Sequence, residues 1–167
     1  GIYIKNISDL PKSCKVIMLN LPKSNDVHNI VLGKRGLYKN ILPDTTLIDM
    51  STISPKGTDE IKKECDKSEI SFVDAPVGRL VSHAIAGNSL FMVGCDNENI
   101  FKRVEPLLNA MGTSIIRCGK VGTRIRAKVV NNFQILSIAQ ITAEALTLAQ
   151  KLDLDLNVFK EVNAGTT

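Results

Sequence analysis

Short apolar runs alternate with stretches of helical spacing over the first two-thirds of the chain. Lys15–Asn20, Thr46–Met50, Ile70–Ala75, Ser89–Gly94 and Thr113–Cys118 are runs of strand length. Between them, Asn25–Leu32, Pro55–Lys67 and Asn97–Met111 repeat apolar residues at three- and four-residue intervals, which predicts amphipathic helices. Asp96 is expected to cap the last of these, Pro106 to kink it or begin a second segment, and Gly112 to end it. This alternation predicts an α/β fold built on a doubly wound, mostly parallel sheet, with room for an antiparallel edge.

At Gly122 the pattern changes. One helix without internal Gly or Pro is expected from there to about Leu152. Ile125, Val129, Asn132, Leu136 and Ala139 fall near one stripe, and Ile138, Ile141, Ala145, Leu148 and Ala149 extend an apolar surface. So little of it suits water that burial between domains or subunits is expected. Asp155 should cap a second helix, Leu156–Asn163, with Gly165 as its stop. The expected organisation is therefore a first domain at 1–121 and the start of an all-helical domain at 122–167. A dinucleotide-binding unit normally opens with a strand and a Gly-x-Gly-x-x-Gly turn, and no such turn occurs here. The chain begins with Gly1 rather than methionine, and truncation at both ends is expected.

Composition narrows the function classes. At 44% hydrophobic residues the chain can bury a core, yet no apolar stretch approaches a membrane span and no signal peptide is expected. Cys14, Cys65, Cys95 and Cys118 are widely spaced and read as reduced thiols of a cytoplasmic protein. His28 and His83 lack neighbours at ligand spacing, so no metal site is expected. A net charge of +4 does not argue for nucleic acid. Its distribution is more telling, because Pro106–Ala143 holds no acid but contains Arg117, Lys120, Arg124, Arg126 and Lys128. That suits either an anionic small molecule or dinucleotide phosphate, or a basic face answered by acids elsewhere in the fold.

Four segments carry candidate chemistry. Leu19-Asn20-Leu21-Pro22 and Asp49-Met50-Ser51-Thr52 end predicted strands with a sharp turn and two hydroxyls. Asp74-Ala75-Pro76-Val77-Gly78-Arg79 ends the third, with Ser82 close behind. Strand ends on one edge of an open sheet converge on a crevice, where hydroxyls can bond a ribose or carboxamide and an arginine can grip an anion through two donors. The structural alternative for Arg79 is pairing with an acid such as Asp74 or with a helix carboxyl end. Finally, Lys128, Asn131 and Asn132 lie at helical offsets of three and four, so one face carries an ammonium and two carboxamides. Such a set can protonate a developing alkoxide.

Together, in this order, these motifs resemble the β-hydroxyacid dehydrogenase family. The matching pieces are Met18–Pro22, Asp49–Pro55, Asp74–Val77, Gly87–Gly94 and Gly119–Asn132. The resemblance implies a Rossmann-type NAD(P)-binding domain joined through a long helix to an all-helical domain, NAD or NADP as cofactor, and a small anionic aldehyde or β-hydroxyacid as substrate. It also implies Lys128 as the catalytic residue, with Gly78, Arg79, Ser82, Asn131 and Asn132 on the substrate and Leu21, Pro22, Ser51 and Thr52 along the cofactor. A homo-oligomer, dimer or tetramer, is implied for the complete protein.

Two departures stand out. Where most members read Ser-Gly-Gly after Asp-Ala-Pro-Val, this chain has Gly78-Arg79-Leu80 followed by Ser82 and Ala84-Ile85, a pattern similar to the 3-sulfolactaldehyde reductase branch. A guanidinium there favours an anionic head group such as a sulfonate. Arg124 replaces the second glycine of the turn before Lys128, where it either adds a cation or crowds the nicotinamide. The alternative reading is a non-catalytic dinucleotide-binding or oligomerisation module derived from the same family.

Overall fold

The structure is a computed structural model, which describes residues 3–12 and 14–166. In chain order the elements are β1 (Val16–Leu19), α1 (Ser24–Leu32), β2 (Thr46–Asp49), α2 (Pro55–Lys67), β3 (Ser71–Asp74), β4 (Val77–Gly78), α3 (Val81–Ile85), β5 (Ser89–Gly94), α4 (Glu98–Asn109), β6 (Gly112–Gly119), α5 (Thr123–Lys151) and α6 (Leu156–Thr166). Two compact units emerge, residues 1–127 and 128–167.

In the first unit, β1, β2 and β3 pair in parallel, with Leu19, Asp49 and Asp74 in register at their carboxyl ends. β5 and β6 are also parallel to each other, but β5 runs antiparallel to β3 and β4. The antiparallel junction thus lies inside the sheet. Its cause is the short path from β3 to β5, which contains only β4 and the five-residue α3 and so returns the strand antiparallel.

Strand alternation divides the core. Leu47 and Phe72 join Ile17, Val27, Val31 and Ile61 in one cluster, whereas their neighbours Ile48 and Val73 join Phe91, Val93, Phe101, Val104 and Leu108 in another. Helices α1 and α2 thus cover one face of the sheet and α4 the other, the doubly wound arrangement the sequence predicts.

Local expectations fare unevenly. Pro55 opens α2, and Ser54 Oγ caps it by accepting the Gly57 N–H at 3.1 Å. Asp155 caps α6 through the Asn157 N–H at 2.8 Å. Asp96, however, does not cap α4. The neighbouring Asn97 does, accepting from Asn99 and Ile100, while Asp96 accepts the Val121 N–H and pairs with Lys62. Pro106 leaves α4 unbroken, because the Lys102 carbonyl that loses its helical donor belongs to an exposed residue and can be hydrated. Gly165 lies inside α6 rather than ending it.

In the second unit the apolar residues of α5 are largely open, with Phe133 74%, Leu136 69% and Ile141 65% exposed. No helix among the described residues is long and apolar enough to cross a membrane.

Candidate active site

The carboxyl ends of β1 and β2 are tied together by a short relay. Asp49, buried at the end of β2, accepts the Ser51 N–H through Oδ1 at 2.9 Å. Ser51 Oγ accepts the Leu21 N–H at 2.8 Å. The Ser51 hydroxyl in turn bonds the Asp49 carboxyl, so the buried serine links Leu21 to Asp49. Burial raises the Asp49 carboxyl above its ordinary range, and its bonds to Ser51 oppose that rise. Pro22 and Thr52 flank this relay as exposed residues. Helices α1 and α2 start just beyond it, and Ser24 Oγ accepts the Ser54 N–H at 3.0 Å to hold the two starts together.

The end of β3 is built differently. Asp74 is also buried, and its Oδ2 accepts the Gly122 N–H at 3.3 Å while Oδ1 has no partner among the described residues. Gly94 makes room for it, since a Cβ there would collide with Oδ1. Burial pushes the Asp74 carboxyl up to about 7, against the pull of the Gly122 N–H and the Arg124 charge, with Asp49 adding to the rise.

Arg124 is fully buried. Its Nη2 donates to the Pro76 carbonyl at 3.4 Å, and Nε and Nη1 have no partner among the described residues. Burial lowers the guanidinium pKa, with Cys118 and Asp74 acting in the opposite direction. The side chain thus turns toward the end of β3, a placement the sequence pattern did not reveal.

Two of the other basic residues of this region, Arg117 and Arg126, are answered by acids. Arg117 pairs with Glu98 at 2.7 Å and lies over the Phe101 ring. Arg126 holds Asp59 of α2 through two bonds, 2.6 and 3.2 Å, and so fastens the first turn of α5 against α2. For Arg117 and Arg126, the reading of a basic face neutralised within the fold is the correct one.

Arg79 follows β4 with a left-handed backbone, φ 69°. Its exposed guanidinium donates to the Asn88 carbonyl at 2.7 Å, to Thr113 Oγ1 at 3.4 Å and to Ser114 Oγ at 3.3 Å. These partners are neutral oxygens, not the Asp74 carboxylate considered from the sequence. Gly78 sits in β4 opposite Leu90, and Ser82 is exposed on α3. Arg79 lines a cavity of about 570 Å³, together with Asn20 and Met50 from the ends of β1 and β2, Leu80 and Ile85 around α3, and Phe91 of β5. Sequence reasoning missed this cavity because β4 and α3 are too short to leave a periodic signal.

Lys128, Asn131 and Asn132 all fall on α5, where their offsets place them on one helix face. Lys128 is half-buried, and the two asparagines are exposed. Among the described residues no three His, Cys, Asp or Glu side chains are grouped to hold a metal ion.

The donor chemistry of this edge fits the sugar and carboxamide side of a dinucleotide. Ser51 is buried at the end of β2, and Thr52 beside it is exposed. Gly119, at φ 94° and with no atom within 4 Å of where a Cβ would stand, keeps the β6–α5 turn open.

Comparison with known proteins gives a consistent picture. Residues 1–119 match the family model described as the NAD binding domain of 6-phosphogluconate dehydrogenase. The chain is 34% identical over 161 residues to 3-sulfolactaldehyde reductase of Escherichia coli, covering 96% of this chain and 54% of that protein. It is 36% identical over 160 residues to human mitochondrial 3-hydroxyisobutyrate dehydrogenase, covering 95% and 47%. A solved 3-hydroxyisobutyrate dehydrogenase of Mycobacterium tuberculosis, with L-serine, superposes with a TM-score of 0.84 at 32% identity, covering 97% of this chain and 54% of that one. The chain therefore spans about half the length of the curated relatives it matches. With a family model matching well over half of its residues, the chain belongs to the 6-phosphogluconate dehydrogenase NAD-binding domain family, among the β-hydroxyacid dehydrogenases.

Proposed function

We propose that the complete protein is an NAD(P)-dependent oxidoreductase acting on a small anionic aldehyde or β-hydroxyacid with a three- or four-carbon skeleton. The observation that carries this reading is the set Lys128, Asn131 and Asn132 on one face of α5, in a chain whose first 119 residues match an NAD-binding domain. When bound, the nicotinamide cofactor supplies or accepts the hydride. Leu21, Pro22, Ser51 and Thr52 would line it, with the Ser51 and Thr52 hydroxyls as hydrogen-bonding groups.

In the reducing direction, Lys128 as an ammonium donates its proton to the oxygen that becomes the alcohol. Acid catalysis by a positioned group is worth about 10²–10⁴-fold. Asn131 and Asn132 orient the substrate oxygen relative to Lys128, while Gly78, Arg79 and Ser82 receive the anionic head group. The guanidinium of Arg79 has five N–H donors, of which three are engaged by Asn88, Thr113 and Ser114, leaving two for a carboxylate or sulfonate.

Sulfonate is a specific form of this reading, supported by the Gly78-Arg79 pair and by the similarity to 3-sulfolactaldehyde reductase. Homo-oligomerisation of the complete protein is part of the same proposal and is supported by the open apolar residues of α5.

The test is NADH and NADPH oxidation by the full-length protein with 3-sulfolactaldehyde, succinic semialdehyde, methylmalonate semialdehyde and tartronate semialdehyde, repeated with Arg79→Ala. A preference for the sulfonate that is lost in the variant supports the sulfonate form. A carboxylate preference makes Arg79 a general anion clamp. NADH binding without turnover of any aldehyde overturns the enzymatic reading in favour of a non-catalytic dinucleotide-binding module.

A further inference from the structure

We infer that the cavity beside Arg79 receives an apolar branch of the substrate, so that the anionic β-hydroxyacid or aldehyde carries an alkyl or aryl substituent of several carbons. This rests on the functional reading above and deepens it: the reacting skeleton stays small, and the cavity takes its side group.

Three observations converge. The cavity, about 570 Å³, lies in the size range of sites that enclose drug-sized ligands and exceeds what a bare three-carbon acid requires. Its lining is mostly apolar, with Met50, Leu80, Val81, Ile85 and Phe91 among its walls, and no acid among the described residues borders it. Arg79 is the one charged group among those lining residues, held by the Asn88 carbonyl and two hydroxyls and left with two donors to offer. A single cation among mostly apolar walls selects a molecule with one anionic group and an apolar body. A compact, fully hydrophilic acid would use the cation and leave the hollow unfilled.

The walls around α3 strengthen the case. Leu80 is 73% exposed, Val81 76% and Ile85 84%, an unusual run of apolar side chains on so short a segment. Next to an arginine with open donors, such a surface gains when an apolar group covers it. Each methylene buried there contributes about 0.8 kcal/mol, or about a fourfold gain in binding.

Two measurements on the full-length protein test this. The first is NAD(P)-linked oxidation of 2-methyl-, 2-propyl- and 2-benzyl-3-hydroxypropanoate by the wild type and by Ala84→Trp, which narrows the cavity from an exposed position on α3. The expected result is a benzyl-to-methyl ratio in kcat/KM of about tenfold or more, falling toward unity in Ala84→Trp. The second is calorimetric binding of 3-phenylpropanoate against propanoate without cofactor, where about tenfold tighter binding of the aromatic acid is expected and Arg79→Gln should weaken both.

Turnover of the methyl compound with a ratio at or below one overturns the cavity assignment and leaves the oxidoreductase reading intact. No turnover of any acid, with 3-phenylpropanoate still bound tightly, overturns the oxidoreductase reading and keeps the cavity as an amphipathic anion site. Equal binding of both acids, with Ala84→Trp altering only the oligomeric state, shows that protein rather than ligand covers α3 and ends the proposal.

Discussion

The exits of β2 and β3 carry the same residue at the same register, Asp49 beside Asp74, yet they are completed in opposite ways. At β2 the chain serves its own carboxylate within two residues: the Ser51 N–H answers Asp49, and the Ser51 hydroxyl answers Leu21 on the neighbouring strand. At β3 the residue two on cannot do the same, because Pro76 lacks an N–H, and the Ala75 N–H is taken by the Asp49 carbonyl at 2.8 Å. Asp74 must instead draw on Gly122, 48 residues away, and on the charge of Arg124. The outcome is a closed relay on one strand and a half-satisfied buried cluster on the next, with Asp74 Oδ1 and Arg124 Nε and Nη1 unmatched among the described residues. Local hydrogen bonding makes the β2 exit a rigid strut. Long-range electrostatics makes the β3 exit responsive to pH and tolerant of apolar replacement.

The largest effect expected from this contrast is on stability against pH. The Asp74 carboxyl is raised from 3.8 to about 7 on folding, so the unfolded chain ionises first as pH rises. The folded state therefore loses stability between about pH 4 and pH 7, by on the order of 4 kcal/mol for a shift of this size, and regains it on acidification. Urea unfolding of Asp74→Asn across pH 5–8.5 should give a clearly flatter profile than the wild type. Equal slopes would remove Asp74 from the account.

Asp49→Ala comes next. It strips the Ser51 N–H of its acceptor in a buried setting and should cost about 1–3 kcal/mol in denaturant unfolding. A neutral outcome would mean that the relay is not a strut.

Arg124→Met sharpens the comparison from the other side. A guanidinium buried with one long hydrogen bond is costly to keep, so an apolar side chain of similar volume should be neutral or stabilising by about 1 kcal/mol. Destabilisation beyond about 3 kcal/mol, the scale of a broken buried ion pair, would show that Arg124 and Asp74 are fully coupled in solution.

Much of this architecture was legible from the residues alone. The strand–helix alternation yields the parallel β1–β3 block, the limits of α2, the length of α5 and the Asp155 cap, because each rests on periodicity or on a local cap. The motifs at the ends of β1, β2 and β3 also fall on the sheet edge where strand order predicts them. What could not be read depends on partners distant in sequence. β4 and α3 have no room for a period, and the internal antiparallel junction follows from their brevity. Asp96 and Asn97 are equally good caps on paper. The choice follows from Lys62 and Val121 claiming Asp96. Nor does a sequence say which cations are already engaged. Arg117 and Arg126 meet acids from α4 and α2, Arg124 turns inward, and Arg79 keeps two donors open.

The central claim is that Lys128 carries the proton in a nicotinamide-dependent reaction, and one measurement reaches it most directly. In the full-length protein, the single-turnover rate of NADH oxidation with the preferred aldehyde is compared between wild type and Lys128→Ala, alongside the Kd for NADH by fluorescence. The account predicts a loss of about 10²–10⁴-fold in rate with NADH affinity essentially unchanged. A variant that binds NADH normally and turns over within a few-fold of wild type would contradict it.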